Sequence, residues 1–113
     1  MERQNFVLEK SFEFALEIIE YAELLEEKKK FVISKQLLKS GTSIGANVNE
    51  AQSAESKADF IHKLKIADKE ANETEYWLKL CMVSGTYPNP DNLIEHLIAI
   101  KKLLSKIIST SKS

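Results

Sequence analysis

The sequence predicts an all-α protein, an up-down-up-down four-helix bundle that forms a single domain over residues 1–113. Composition is the first reason: the 113 residues include only 3 glycines and 2 prolines, while Leu, Ile, Ala, Glu and Lys are common, so helix is the favoured state. The second reason is that apolar residues recur at spacings of three and four in four separate segments. Short connections between these segments make consecutive helices antiparallel neighbours.

Helix one is predicted to begin after Asn5, a residue type that caps helix N-termini. Its apolar residues form two adjacent stripes. The first stripe contains Leu8, Phe12, Ala15, Ile19 and Ala22, and the second contains Val7, Phe14, Ile18, Tyr21 and Leu25. Together the stripes make an apolar face wider than one seam between two helices requires. The run "EEKKK" then interrupts the apolar period and predicts a turn at residues 28–30.

Helix two is predicted from Phe31 to about Ala54, and helix three from Ser56 to about Val83. Ser56 with Asp59 three residues later has the pattern of a capping box, which marks a helix N-terminus. The predicted seam of helix two contains Ile33, Leu37, Ile44, Val48 and Ala51. The predicted seam of helix three contains Phe60, Leu64, Ala67, Ala71, Thr74, Leu78 and Cys81.

Helix four is predicted to follow a loop with the sequence "TYPNP". Gly85 is the expected C-terminal cap of helix three, and Asn89 followed by Pro90 is the expected start of helix four. The predicted seam of helix four contains Leu93, Leu97, Ile100, Leu104 and Ile107. The polar tail "STSKS" is expected to fray.

The stretch "SGTSIGANVNE", residues 40–50, contrasts with the strong helix formers around it. Gly41 and Gly45 lie one turn apart, and each glycine inside a helix costs about 1 kcal/mol relative to alanine. The usual reason for that cost is close approach of another backbone. A polar stripe runs beside the apolar seam and contains Ser40, Ser43, Asn47 and Glu50. The stretch therefore indicates either a contact between subunits of a homo-oligomer or a tight helix crossing inside one subunit.

The polar stripe also predicts partners on helix three. We expect the Asn47 amide to be buried and bonded to a carboxylate such as Glu73. Glu70 and Glu73 lie one turn apart, and a partly buried carboxylate there is expected to pair with Lys39 or to accept a bond from the stripe. Charge-assisted hydrogen bonds of this kind help to set helix register.

The segment "LLKSGTSIGANVNEAQSAESKADFIHKLKIADKEANETEYWLKL" resembles the four-helix-bundle proteins encoded in intervening sequences of bacterial 23S rRNA genes, often labelled ribosomal proteins. The matching positions are Lys39, Ser40, Ser43, Ile44, Asn47, Val48, Glu50, Phe60, Leu64, Ile66 and Ala67. Val48 stands where Ile is commoner, and Lys39 stands where Arg is commoner. The resemblance implies a left-handed bundle that assembles as a ring, typically a homopentamer. Similar bundles act as accessory subunits of diversity-generating retroelements, where they engage a reverse transcriptase and nucleic acid.

Charge is unevenly distributed along the chain, although the net charge is only −1. Residues 1–27 carry a net charge of −6 and residues 28–113 carry +5. No acidic residue follows Glu95, whereas Lys101, Lys102 and Lys106 do. This asymmetry indicates either pairing between oppositely charged surfaces or a basic patch for RNA or DNA. On a terminal helix these lysines are also compatible with an ordinary solvated face.

No catalytic constellation and no metal site is predicted, and no cofactor or small-molecule substrate is expected. A di-iron bundle site needs two Glu-x-x-His pairs and two further carboxylates. Here Asp59 precedes His62 at that spacing, but Leu93 precedes His96. His62 is read as a surface residue, and Trp77 as a core or interface aromatic.

The chain is expected to be a cytoplasmic protein without a membrane span. No apolar run approaches the ~20 residues that a span needs, and the N-terminus lacks a basic region followed by an apolar stretch. Cys81 is the single cysteine and is expected to be a small core residue. A non-enzymatic scaffold that works as a ring-shaped homo-oligomer is the leading functional interpretation. A nucleic-acid-associated accessory protein is the second.

Overall fold

Four α-helices account for nearly all of the computed structural model, which describes residues 2–112 and the side chains of residues 5–112. They are α1 (Glu2–Glu27), α2 (Phe31–Ala51), α3 (Lys57–Val83) and α4 (Asp91–Ser111). The all-α prediction and the number of helices are confirmed.

The connection between α1 and α2 lies where the "EEKKK" run predicted it. Lys29 adopts a left-handed conformation with φ 63°. The Lys29 amide donates to the Glu26 carbonyl at 2.9 Å, and the Lys30 amide donates to the Leu25 carbonyl at 2.8 Å. This pair of bonds is the Schellman motif, which ends a helix by satisfying its last carbonyls. A lysine therefore holds a position that glycine usually takes.

Several predicted helix ends differ from the structure. α1 begins at Glu2, so Asn5 lies inside the helix and is not its cap. α2 ends at Ala51, three residues earlier than predicted. Gly85 is not the C-terminal cap of α3, since its φ is not positive. The helix has already ended at Ser84, which is extended with φ −84° and ψ 121°.

The start of α3 is confirmed: Ser56 Oγ accepts a hydrogen bond of 3.0 Å from the Asp59 amide. The reciprocal bond is displaced by one residue, because Asp59 Oδ2 accepts from the Glu55 amide. The predicted start of α4 is one residue too early: the helix begins at Asp91, and Pro90 rather than Asn89 holds the N-cap position, without a side-chain cap bond. Asn89 Oδ1 accepts a hydrogen bond of 2.9 Å from the Asp91 amide in the turn before the helix.

The polar tail does not fray at residues 109–111, because α4 continues to Ser111. Ile107 is buried and Ile108 packs against the core, so this end of the helix is held by apolar contacts. The Thr110 hydroxyl also donates to the Lys106 carbonyl inside the helix. Ser113 lies outside the described residues.

The predicted seams form one continuous core. Every predicted seam residue of α2, α3 and α4 is buried except Ile33 and Phe60, which pack against the core while partly exposed. On α1 the second stripe, Val7 to Leu25, is buried throughout. Of the first stripe, only Ala22 is fully buried. One of the two apolar stripes of α1 therefore lies largely outside the core, with Phe12 and Ile19 exposed.

Neighbouring helices run antiparallel, and α4 packs against α1. Ser34 of α2 donates to the Ala22 carbonyl of α1 at 2.8 Å. Between α2 and α3, a bond joins Ser40 to Thr74 and an ion pair joins Glu50 to Lys63. An up-down-up-down arrangement follows from this order of contacts, and the left-handed twist stays a prediction.

Candidate interaction surface

An exposed apolar groove runs along α1 and α2 at the end of the bundle that holds the N-terminal half of α1. Its volume is about 830 Å³. Phe12 is 66% exposed, Leu16 50% and Ile19 37%. The lining residues are Asn5, Leu8, Glu9, Phe12, Glu13, Ala15, Leu16, Ile19, Thr42, Gly45, Ala46 and Asn49. This surface, called the α1–α2 groove below, is the apolar stripe of α1 that the core leaves uncovered.

Helical periodicity explains why the groove exists. Residues three and four apart on a helix share a face, so Phe12, Leu16 and Ile19 project to the same side of α1. The core stripe, which includes Phe14 and Ile18, projects to a neighbouring side. The sequence indicated this excess apolar width, but Leu16 was not assigned to either stripe.

The glycines of α2 face α1 of the same chain. A Cβ atom added to Gly41 would lie 2.8 Å from the Ile18 side chain, and one added to Gly45 would lie 3.1 Å from the Ser11 carbonyl oxygen. Of the two interpretations of this face, the tight crossing inside one subunit describes the structure. Gly45 nevertheless also lines the α1–α2 groove, since the close crossing leaves it partly exposed.

The residues of the polar stripe of α2 differ in burial and in hydrogen-bond partner. Ser40 is fully buried and lies 2.9 Å from the Thr74 hydroxyl of α3. Ser43 instead donates to the Lys39 carbonyl of its own helix at 2.6 Å. Glu50 is exposed and pairs with Lys63 at 3.2 Å.

The predicted bond from Asn47 to helix three is wrong. The Asn47 amide donates to the Ser43 carbonyl of its own helix at 2.8 Å, and the side chain is only partly buried. An amide side chain that bonds to the carbonyl four residues earlier is locally satisfied. The Asn47 side chain therefore needs no hydrogen-bond partner on α3.

The predicted pairing of a partly buried carboxylate, Glu70 or Glu73, with Lys39 or with the polar stripe does not occur among the residues that the structure describes. Lys39 and Glu73 are exposed and Glu70 is partly buried. Glu73 Oε2 accepts from the Trp77 indole nitrogen at 3.2 Å. The i to i+4 spacing of Glu73 and Trp77 brings them together on one face of α3, where Glu73 is exposed and Trp77 packs against the core while partly exposed.

The three lysines that the sequence singled out line one shallow groove on α4, of about 540 Å³, with Glu75, Ile98 and Ser105. Lys101 is not available as a free cation, because its Nζ lies 2.6 Å from Glu75 Oε1. The hydrogen bond from Lys101 is the main cause that holds the pKa of Glu75 below its ordinary value. Lys102 and Lys106 are exposed, and neither forms an ion pair with the residues that the structure describes.

Two side-chain pairs were not expected from sequence. His96 Nδ1 of α4 lies 2.8 Å from Glu17 Oε1 of α1, beside a groove of about 440 Å³ lined by Phe6, Lys10, Ala99 and Leu103 among others. The other pair is Glu75 with Lys101. Each pair joins residues of two different helices, so only the packed structure could identify them.

Tyr21 and Cys81 form a buried polar contact near the loop before α4. The Tyr21 hydroxyl donates to the Pro88 carbonyl at 2.6 Å. Burial, followed by the neighbouring Cys81, raises the pKa of Tyr21 above its ordinary range. Burial also raises the pKa of the Cys81 thiol, so this cysteine is held as a neutral thiol in the core.

Membrane-spanning helices and metal-binding clusters are both absent from the part of the chain that the structure describes. No helix there is both long and apolar enough to cross a membrane. The same residues hold no cluster of three or more His, Cys, Asp or Glu side chains arranged to bind a metal ion.

The fold and the groove together define a class of protein: an antiparallel four-helix bundle with an uncovered apolar surface on its first two helices. The model of the 23S rRNA-intervening sequence protein family matches residues 3–106 of this chain. The chain belongs to this family.

One solved structure is similar over nearly the whole chain. It is a Bacteroides thetaiotaomicron protein described as having unknown function and as coming from the S23 ribosomal protein family. The two share 50% sequence identity and a TM-score of 0.88, over 95% of this chain and 98% of that one. A search of curated proteins returned no match.

Proposed function

We propose that this protein is a non-enzymatic scaffold that works as a homo-oligomer, with the α1–α2 groove as a contact between subunits. The observation that carries this proposal is the exposure of Phe12 and Leu16 on a groove of about 830 Å³. Contiguous apolar patches on soluble proteins mark interaction sites more often than scattered single residues do.

The free energy available to such a contact is considerable. Fully burying a Leu, Ile or Phe side chain contributes about 1.5–3 kcal/mol, and aromatic side chains are common anchors of interfaces. Phe12, Leu16 and Ile19 lie on one face of a rigid helix, so little conformational entropy is lost when a partner covers them.

The ring form, with five subunits as the expected number, rests on the family resemblance. We place the scaffold in the cytoplasm, where thiols stay reduced; the buried free thiol of Cys81 is in keeping with that location.

Native mass measurement with and without nuclease treatment tests the proposal. We expect a homo-oligomer whose mass does not change on nuclease treatment. Phe12→Asp and Leu16→Asp should shift it towards monomer while leaving the helical content unchanged. Val83→Asp is the matched control, because Val83 is 76% exposed at the end of α3 and does not line the groove. A wild-type protein that is monomeric at the highest soluble concentration would reject the proposal.

A second candidate function is that of a nucleic-acid-associated accessory protein with RNA, DNA or a reverse transcriptase as partner. The observation that favours it is the position of Lys101, Lys102 and Lys106 around one groove. Ring symmetry would multiply weak single contacts into useful avidity. The pairing of Lys101 with Glu75 reduces the positive charge available for phosphate contacts.

Binding measured against salt concentration tests this second candidate. Affinity for single-stranded RNA or duplex DNA should fall steeply as salt rises, because bound phosphates release counterions. A triple variant should lose this binding; its changes are Lys101→Glu, Lys102→Glu and Lys106→Glu. A correctly assembled wild-type protein that binds neither nucleic acid at low salt would reject this second candidate, and the scaffold would be the remaining proposal.

A further inference from the structure

The α1–α2 groove has an acidic rim, formed by Glu9 and Glu13, both of which line it. Glu9 forms no ion pair with the residues that the structure describes, and Glu13 meets only Lys10 of its own helix, at 3.4 Å and largely exposed. A surface ion pair of this kind contributes little. The groove therefore combines an apolar floor with negative charge that only one weak surface ion pair offsets.

A surface with the complementary character lies on α4. Ile98 is 39% exposed, and Lys102 and Lys106 lie four and eight residues further along the same helix. This spacing places all three on one face, and all three line the shallow groove of α4. We call these three residues the α4 strip. It offers an apolar contact and two cations without an acidic partner among the described residues.

The α1–α2 groove and the α4 strip lie at the same end of the bundle. Along the contact between α1 and α4, Glu17 meets His96, while Phe6 and Lys10 share a groove with Ala99 and Leu103. The antiparallel direction therefore sets Glu9 and Glu13 at about the height of the second half of α4. Rotation about an axis along the bundle preserves that height, so one copy can present its α4 strip at the level of the next copy's groove.

A contact of the groove with itself is disfavoured. A two-fold axis centred on the α1–α2 groove would bring Glu9 and Glu13 of one copy to the same residues of the other. Like charges across an interface oppose association. The charges favour instead a contact between two different surfaces of the same chain.

We propose that the α1–α2 groove of one copy receives the α4 strip of a second copy, so that the chains assemble head to tail. Ile98 packs on the apolar floor beside Phe12 and Leu16, and Lys102 and Lys106 face Glu9 and Glu13. A contact between two different surfaces produces a closed ring or an open filament, depending on the rotation between copies. This inference rests on the proposed homo-oligomeric scaffold and names its interface.

The head-to-tail contact makes a prediction that no other contact makes. A Phe12→Asp variant keeps an intact α4 strip, and a Lys102→Glu, Lys106→Glu variant keeps an intact groove. Each alone should be monomeric at concentrations where the wild type is assembled, with a dissociation midpoint raised at least about tenfold. Mixed at high concentration, the two variants should form a dimer with one chain of each, which native mass measurement can identify by labelling one chain isotopically.

Three further variants complete the experiment. Lys65→Glu with Lys69→Glu is the matched control, because these exposed lysines on α3 have the same spacing and lie in neither surface; it should assemble as the wild type does. Glu9→Lys with Glu13→Lys should dissociate the assembly. Combining that change with Lys102→Glu and Lys106→Glu should restore it, which also shows that the charge changes do not prevent folding.

Each outcome decides the inference. An oligomeric wild type, monomeric single-surface variants and a mixed dimer support the head-to-tail contact. An oligomer that persists in the Lys102→Glu, Lys106→Glu variant, or a mixture without the mixed dimer, overturns it while leaving the scaffold proposal standing. If that variant stays assembled but loses nucleic-acid binding, the lysines serve the second candidate function instead. A monomeric wild type overturns both the scaffold and its interface.

Discussion

The backbone of α1 at Ser11 lies so close to α2 that a Cβ atom added to Gly45 would sit 3.1 Å from the Ser11 carbonyl oxygen. Cβ atoms rarely approach a backbone atom so closely, and a backbone atom moves only if its helix moves. The glycines of the 40–50 stretch thus set the separation of the first two helices. They also set the shape of the α1–α2 groove, since Gly45 lies on its wall.

Gly45→Leu should destabilise the fold by ~1–3 kcal/mol or more, because the added side chain overpacks the crossing with α1. Assembly should weaken as well, since α1 and α2 together form the groove. Urea denaturation measures the first effect and native mass the second. Gly85→Ala is the matched control: an added Cβ there meets nothing within 4 Å, and its φ is not positive. A Gly45→Leu protein as stable as the wild type would show that the helices separate freely.

Asn47→Leu should change the free energy of unfolding of the chain by no more than ~0.5 kcal/mol, the usual range for a substitution that removes no buried partner. The reason is that the Asn47 amide bonds only to the Ser43 carbonyl of its own helix. Denaturant melts at a concentration that keeps the protein monomeric provide the measurement. A loss of ~1–3 kcal/mol would mean that a buried group had lost its partner.

Thr74→Val should cost ~1–3 kcal/mol, because it removes the partner of the buried Ser40 hydroxyl. Combining it with Ser40→Ala should recover part of that loss, since no polar group is then left unsatisfied at the α2–α3 contact. A double-mutant cycle of unfolding free energies measures the coupling. Strictly additive losses would indicate that the two hydroxyls do not interact.

Lys29→Gly should stabilise the chain by about 0.5–1 kcal/mol, because glycine adopts positive φ without the steric cost that a lysine side chain carries. Lys28→Gly is the matched control one residue earlier, where φ is not positive, and should be neutral or destabilising. Thermal melts compare the two. Equal effects at both positions would contradict the left-handed conformation of Lys29.

Acid should remove the stabilising contribution of the Glu75–Lys101 pair. The pKa of Glu75 is lowered in the folded chain, mainly by the hydrogen bond from Lys101. The contribution is therefore fully present above the ordinary glutamate pKa of about 4.3 and is lost as pH falls through the lower folded value. Lys101→Met should flatten the loss of stability between about pH 5 and pH 3. An unchanged acid profile in that variant would mean that other carboxylates govern it.

Local interactions explain how much of this fold was predictable. Helix periodicity and the Ser56 cap depend on residues three or four apart, so the four helices and most of the core could be predicted directly from spacing. The same local rules predicted the wrong helix ends at Asn5 and Gly85. Helix ends depend on weak preferences that the packing of neighbouring residues overrides.

What the sequence by itself determined is the all-α class, the buried seams and the excess apolar width of α1. Only the tertiary structure decided that Gly41 and Gly45 contact another helix of the same chain. It also decided that Asn47 bonds to its own helix backbone and not to α3. The pairings of Glu75 with Lys101 and of Glu17 with His96 were decided in the same way. The physical reason is that periodicity fixes which residues share a face of one helix. Which face meets which neighbour depends on the packing of all four helices at once.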